Sequence, residues 1–318
     1  MTGGAVRLHM PQHMAAPDGS ELPLFYKLLR QKLAQRGAEV RIVVRAAEWQ
    51  TTGLPPGDFH FVHQGRAQGP RVLNCAVAYL NPFFYADPQG IYFESTNTTA
   101  RFDAAGIPAD RAAAFFDTLV ADHVTPRRSR YSQPPEVQTF PPGAIAVFLQ
   151  DWSLPVERAR HMEAQAMLTT VLAHRAGRPV IVKPHPRNQG LETLDLLALL
   201  RGHPDVIVTE ANLHDILRQA AVSVSISSSV AVEGMLHRVP AVLFGRSDLH
   251  FCAQTVRVPG DWPAALTRAL ATDWPFEPFL FWLLHRRSVR AGPGMMGPIL
   301  KRMQAAQADF AALGLATP

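Results

Sequence analysis

Lys183 and His185 stand two residues apart in Val182-Lys183-Pro184-His185-Pro186-Arg187-Asn188, at the end of a short β-branched run. A strand there delivers both bases to its carboxyl end. The two prolines stiffen the turn, so little side-chain entropy is lost when an anion is gripped. An ammonium beside an imidazole suits a phosphate or diphosphate. The same residues also fit a solvated proline-rich turn that happens to hold two bases.

A second set follows in Val222-Ser223-Val224-Ser225-Ile226-Ser227-Ser228-Ser229-Val230-Ala231-Val232-Glu233-Gly234. The pattern predicts a strand that runs into a helix start. Ser227, Ser228 and Ser229 suit N-cap positions, and backbone N–H groups at a helix start favour an anion. Glu233, one turn into that helix, could accept hydrogen bonds from a ribose diol. An ordinary capped unit explains the serines alone. The serines, Glu233 and the basic turn together match the three contacts one nucleotide needs. A third set is Phe148-Leu149-Gln150-Asp151-Trp152-Ser153, an apolar strand ending in a carboxylate. Asp151 there could serve as nucleophile or base at an anomeric centre. Capping of the next helix by Asp151 or Ser153 is the competing role.

Weaker sets lie earlier. Asn81-Pro82-Phe83-Phe84-Tyr85 and Phe93–Thr99 read as polar-aromatic loops of the kind that bind sugar acceptors or simply pack. His9, Met10, His13 and Met14 have no acidic or cysteine partner nearby, and read as a loop after the first strand rather than a metal site. No HExxH, P-loop or paired CxxC occurs.

These residues need elements to position them. Strands are predicted over Val6–Met10, Glu39–Val44, Phe59–His63 and Val72–Tyr79, with helices over Leu22–Arg36 and Arg111–Asp122. Thr125–Gly143 holds five prolines and no hydrophobic period, and reads as an exposed linker, Arg127-Arg128-Ser129-Arg130-Tyr131 included. A second alternation follows: strand Ala144–Leu149, helix Glu157–Arg175 with Met162, Ala166 and Thr170 on one stripe, strand Val180–Lys183, helix Leu191–Leu200, strand Val206–Thr209, helix Leu213–Gln219, strand Val222–Ile226, helix Val230–Leu236 and strand Ala241–Phe244. The expected architecture is α/β and GT-B-like. Residues 1–140 would form a Rossmann-like acceptor domain and 141–272 a Rossmann-like nucleotide-sugar domain, the two facing a cleft. Helices over 273–318 would close the structure and pack back on the first domain. Ligands in open parallel sheets sit beyond the carboxyl ends of the strands, where all three sets fall.

Composition narrows the class. The chain has 318 residues, 47% of them hydrophobic, and a net charge of +5 from 31 Lys+Arg against 26 Asp+Glu. That argues against extensive disorder. The nearest basic cluster for nucleic acid, Arg127–Tyr131, reads as the exposed linker and a second, His285–Arg290, as a helix surface, while a mild positive field suits an anionic substrate or an anionic membrane surface equally. Cys75 and Cys252 give no disulfide framework. The opening residues lack an apolar secretory core, and no apolar run reaches the roughly 18 residues of a membrane span. A cytoplasmic protein is expected. Attachment to the inner face of the membrane stays open, with Phe276–Leu284 as the segment to carry it.

Lys183-Pro184-His185-Pro186, then Ser227-Ser228-Ser229-Val230-Ala231-Val232-Glu233-Gly234, then Val239-Pro240-Ala241-Val242-Leu243-Phe244-Gly245, resembles the capsular polysaccharide biosynthesis glycosyltransferases, among them the bacterial retaining β-Kdo transferases. The likeness covers about a third of the chain. It implies a GT-B fold and a CMP-sugar donor, with Kdo or a related acidic sugar moved to a polysaccharide or glycolipid. Lys183 and His185 would face the CMP phosphate and the sugar carboxylate; Ser227, Ser228, Ser229 and Glu233 would hold the nucleotide; Asp151 would be the nucleophile. The basic side chains would supply the positive charge, with no cofactor and no metal. Gln150-Asp151 differs in spacing from the family's strand end. Arg246–Phe251 replaces its aromatic segment. A CDP-glycerol-type polyol phosphotransferase and a non-catalytic glycan-binding partner are the alternatives.

Overall fold

The computed structural model describes residues 3–45, 57–151, 154–187 and 190–318. The chain forms two compact units, Met1–Arg101 with Trp282–Pro318, and Phe102–Phe281. The boundaries expected at 140/141 and 272/273 therefore both fall inside the second unit. Residues 102–140 belong there because they pack there: the Phe102 ring lies 5.4 Å from Phe279, and Arg127 pairs with Asp215 at 2.6 Å.

In chain order the main elements are β1 (Val6–Met10), α1 (Leu24–Ala34), β2 (Val40–Val44), β3 (Phe59–His63), β4 (Val72–Val77), β5 (Phe83–Asp87), α2 (Ala109–Leu119), β6 (Ala144–Phe148), α3 (Leu154–Ala159), α4 (Ala164–Ala173), β7 (Val180–Lys183), α5 (Leu191–Leu200), β8 (Val206–Val208), α6 (Leu213–Gln219), β9 (Ala220–Ser225), α7 (Val230–Leu236), β10 (Ala241–Leu243), β11 (Gln254–Thr255), α8 (Trp262–Ala271), α9 (Phe276–Leu280), β12 (Val289–Arg290) and α10 (Met296–Ala305).

The first unit carries a sheet of order β12-β5-β4-β3-β1-β2. β2, β1, β3 and β4 run parallel, while β5 and β12 are antiparallel additions. Leu8, Met10, Phe59 and Phe61 of the sheet bury against Phe25, Leu29 and Leu33 of α1 and Ile299 and Met303 of α10. β5 corrects the loop reading of Asn81–Tyr85, since Phe83, Phe84 and Tyr85 are buried sheet residues. His9 and Met10 likewise lie in β1. Phe276–Leu284 is also packed away. Phe276, Phe279, Phe281 and Trp282 are buried, so they form no exposed apolar surface for a membrane.

His9 Nε2 and His60 Nδ1 meet at 2.9 Å in the buried sheet. Burial first, then neighbouring positive charge, lowers His9 to about 3; burial lowers His60 to about 4. Both rings are neutral when folded but titrate near 6.5 when unfolded. The unfolded chain then binds more protons, and stability is lost as pH falls from about 6.5 towards 4. Thermal midpoints should drop steadily across that window, and the slope should be shallower in His60→Gln. An unchanged slope would show that the pair does not control acid stability.

The second unit carries six parallel strands in the order β11-β10-β9-β6-β7-β8. The predicted helix over Glu157–Arg175 is broken into α3 and α4. Between them the chain turns to pair with the segment after β10: His161 N–H donates to the Phe244 carbonyl at 2.9 Å, and Arg246 N–H to the Ala159 carbonyl at 2.8 Å. Gly245 permits this approach, because a Cβ there would sit 2.9 Å from the carbonyl oxygens of both Ala159 and Ile226. The fully buried stripe is Met167, Leu168 and Val171; Met162 of the expected stripe packs partly buried against the same core, and Ala166 and Thr170 are half-buried.

Candidate nucleotide-binding site

The strand order of the second unit creates a switch point. From β6 the chain builds outward through β7 and β8, then returns to β9 on the other side of β6 and builds outward through β10 and β11. The connections leaving β6 and β9 therefore diverge and open a crevice at their carboxyl ends, the usual ligand position in such sheets. Gln150, just past β6, spans it. Its Oε1 accepts the Ser227 N–H at 2.7 Å, and its Nε2 lies 3.5 Å from Ser227 Oγ.

Lys183, the last residue of β7, is buried and donates its ammonium to the Glu210 carbonyl at 2.8 Å. Burial lowers its pKa, and the charge of Glu210 opposes this. His185 follows in the turn, and its Nδ1 accepts the Arg187 N–H at 3.2 Å. Burial lowers the His185 pKa; Asp151 opposes, while Arg187, Arg130 and Lys183 add to the lowering. His185 is thus a neutral ring before an anion arrives, and the standing positive charge belongs to its neighbours. Asp151 forms an ion pair with Arg187 at 2.5 Å. Trp152, Ser153 and Asn188 lie outside the described residues.

The serines divide their roles differently from the capping expectation. Ser229 takes a helical backbone conformation and makes no side-chain cap. Ser228 does the capping, its Oγ accepting the Val230 N–H at 3.2 Å, while its own N–H donates to Ser225 Oγ at 3.2 Å. Ser227 N–H is engaged by Gln150. Ser227 and Ser228 are thus oriented at the crevice by bonds to Gln150, Ser225 and Val230.

Glu233 is 1% exposed, and its Oε1 has no hydrogen-bond partner. Burial raises its pKa to about 7, against a hydrogen bond from Ser129 and the charge of Arg130. A carboxyl group neutral in the fold but ionised when unfolded costs stability as pH rises from about 4.5 to 7, and the full cost stands above 7. Glu233→Gln should therefore stabilise the fold at pH 8, by on the order of 3 kcal/mol at most and seen as a raised thermal midpoint, and do little at pH 4.5. A midpoint gain equal at both pH values would show that charge burial is not its source.

Ser129, Arg130 and Tyr131 were the residues missed. The segment read as an exposed linker is strapped onto the second unit. Arg127 donates to Asp215, to the Pro135 carbonyl at 2.8 Å and to the Glu136 carbonyl at 3.0 Å. The Arg128 carbonyl lies 2.8 Å from His214 Nε2. Ser129 reaches Glu233. The Tyr131 ring lies 5.0 Å from that of His185, edge-on, and 4.9 Å from the Arg187 guanidinium. Basic residues interleaved with an aromatic were visible in the sequence, but nothing there tied them to His185.

A cavity of about 720 Å³ opens beside this cluster. Gln150 and Asp151 are at one side, and Leu149, Met167 and Leu196 contribute apolar wall. Its size suits a substrate group. It extends away from Lys183 and His185, towards α4 and α5, so it adjoins the basic cluster and does not contain it.

No family model and no curated protein matches the chain. Solved structures do. The KpsC β-Kdo 2,4 transferase of Thermosulfurimonas dismutans matches with 16% identity over 88% of this chain and 90% of that one, at a TM-score of 0.52. The fold is shared with β-Kdo transferases. A second such structure, the KpsC β-Kdo 2,7 transferase of the same organism, matches with 13% identity over 86% of this chain and 88% of that one, also at 0.52. At these identities the likeness speaks for the architecture, two α/β units of GT-B type, and leaves the chemistry to the residues. Among the described residues no helix is long and apolar enough to cross a membrane.

Proposed function

We propose that the protein is a glycosyltransferase whose second unit binds a CMP-activated acidic sugar, Kdo or a relative, at the β6/β9 crevice. The sugar would pass to a capsular or surface polysaccharide or glycolipid acceptor, in the cytoplasm or at the inner face of its membrane. The observation that carries this reading is convergence. Lys183 at the end of β7 and His185 and Arg187 in the turn after it gather beside the Gln150–Ser227 bridge at the switch point, with the carboxylate of Asp151 among them. Two cations flanking an imidazole at that place suit a phosphodiester and a sugar carboxylate together.

In this reading the donor phosphate draws Arg187 from Asp151. The freed carboxylate attacks the anomeric carbon as the bond to the CMP phosphate breaks. Lys183 and Arg187 stabilise the negative charge that gathers on the departing CMP. The acceptor hydroxyl then displaces Asp151 as a carboxylate and gives its proton to solvent, so configuration is retained. Ser227, Ser228, Ser229 and Glu233 hold the nucleoside.

Mass spectrometry after incubation with CMP-sugars and glycan acceptors tests this. An acceptor heavier by one acidic sugar is expected, with free CMP as co-product. Lys183→Ala should slow that transfer by about 10²-fold. Unmodified acceptor with every CMP-sugar, or full activity in folded Lys183→Ala, would refute the reading.

A further inference from the structure

Tyr131 lies outside every strand and helix, yet it touches two of the groups assigned to the phosphate. Its ring meets the His185 ring at 5.0 Å and 83°, edge to face, and carries the Arg187 guanidinium 4.9 Å from its centroid. Arg130 lies 5.7 Å from the same centroid. The backbone on either side is fixed. Ser129 is tied to Glu233 and the Arg128 carbonyl to His214, while Gln138 N–H donates to Asp215 at 2.9 Å. The ring is therefore held by the strap and not by its own exposure. His185 and Arg187 come from a turn whose prolines set the backbone but leave χ angles open. Arg187 is more than half exposed, and once a donor phosphate draws it from Asp151, among the described residues only the Tyr131 face is left to restrict its rotamers.

We propose that Tyr131 is a positioning residue of the donor site: its ring fixes the His185 imidazole and the Arg187 guanidinium in the orientation in which both meet the phosphate of a bound nucleotide. This rests on the reading that a cytidine nucleotide binds at the crevice. The contact uses the ring and not the hydroxyl, since an aromatic face attracts a guanidinium and accepts an imidazole edge whether or not it bears oxygen. The groups facing His185 are Asp151, Arg187, Arg130 and Lys183, and burial lowers its proton affinity against the pull of Asp151. Removing the ring opens His185 to water, so its titration should move up towards that of a free histidine.

CMP titration, a thermal melt and an NMR pH titration of the His185 ring, each on wild type, Tyr131→Phe and Tyr131→Leu, test the proposal. Tyr131→Phe should bind CMP within about twofold of wild type. Tyr131→Leu should bind about tenfold more weakly, with His185 titrating higher and the thermal midpoint nearly unchanged. Arg187→Lys, which keeps the charge and loses the planar face, should weaken CMP about threefold. Equal losses in Tyr131→Phe and Tyr131→Leu would overturn the proposal by assigning the effect to the hydroxyl. Wild-type CMP affinity in Tyr131→Leu, or an unmoved His185 titration there, overturns it while the nucleotide reading stands. A wild type that takes up no CMP sinks that reading itself, and the proposal with it.

Discussion

Asp151→Asn is expected to lower glycosyl transfer by about 10³-fold or more while CMP affinity holds or rises. The two expectations have one cause. Asp151 supplies the carboxylate that would bond to the anomeric carbon, and an amide of the same shape cannot. The same carboxylate is the counter-ion of Arg187 at 2.5 Å, an attraction that a donor phosphate must outcompete. Asparagine ends the competition and leaves Arg187 to the phosphate. A drop in turnover with unchanged or tighter CMP binding is the pattern of a group needed for the chemical step and not for ground-state binding. Steady-state kinetics with a CMP titration on the same preparation reads both. Turnover above about a tenth of wild type would remove Asp151 as nucleophile, and another acid would have to be sought along the cavity.

Asp215→Ala should cost about 3–5 kcal/mol of stability in the second unit. The Asp215 side chain is fully buried, and it takes the Arg127 guanidinium at 2.6 Å and the Gln138 N–H at 2.9 Å. Removing it leaves a mostly buried guanidinium without its counter-ion and a backbone donor without its acceptor. For a unit of this size that corresponds to a midpoint roughly 6–20 °C lower. The strap that Arg127 anchors carries Ser129 and Tyr131, so CMP affinity should fall with stability even though Asp215 lies away from the phosphate groups. Asp215→Asn keeps an acceptor for Gln138 and should lose less of both. A normal midpoint in Asp215→Ala would show that the strap is held by other contacts.

The central parallel strands were readable because they are buried on both faces and so appear as short apolar runs, as Ala144–Phe148 and Val180–Val182 do. Their order was not, since sheet order depends on pairing between distant segments. β5 escaped because it directly follows Asn81-Pro82, a dipeptide that reads as a turn, and ends in a buried carboxylate, Asp87. The break between α3 and α4 escaped because its cause, Gly245, lies some eighty residues further on, where a backbone approach requires a residue without Cβ. Within the site, residue types near strand ends were legible and their partners were not. Lys183, His185 and Asp151 do gather, but through Arg187, which the sequence showed only as one more charge in the turn. Tyr131 and Ser129 were hidden in a segment whose composition is that of a linker. Prolines and arginines there do not signal a solvated chain; they are anchored by Asp215, Asn212 and His214 on α6 and just before it.

Glu233 separates structure from function most simply. A buried carboxyl group with an unpartnered oxygen is a cost to the fold. If it holds the nucleoside, Glu233→Gln should stabilise the protein at pH 8 and weaken CMP binding in the same variant, the trade-off expected where a strained group serves a ligand.

Calorimetric titration of CMP into wild type and Lys183→Ala tests the nucleotide site most directly. Saturable one-to-one binding is expected in the wild type, weakened by at least about tenfold in Lys183→Ala with the fold intact, because a buried charge-assisted contact to phosphate is worth on the order of 1.5–3 kcal/mol. No heat of binding at millimolar CMP, or equal affinity in the two proteins, would contradict a nucleotide phosphate at the carboxyl end of β7.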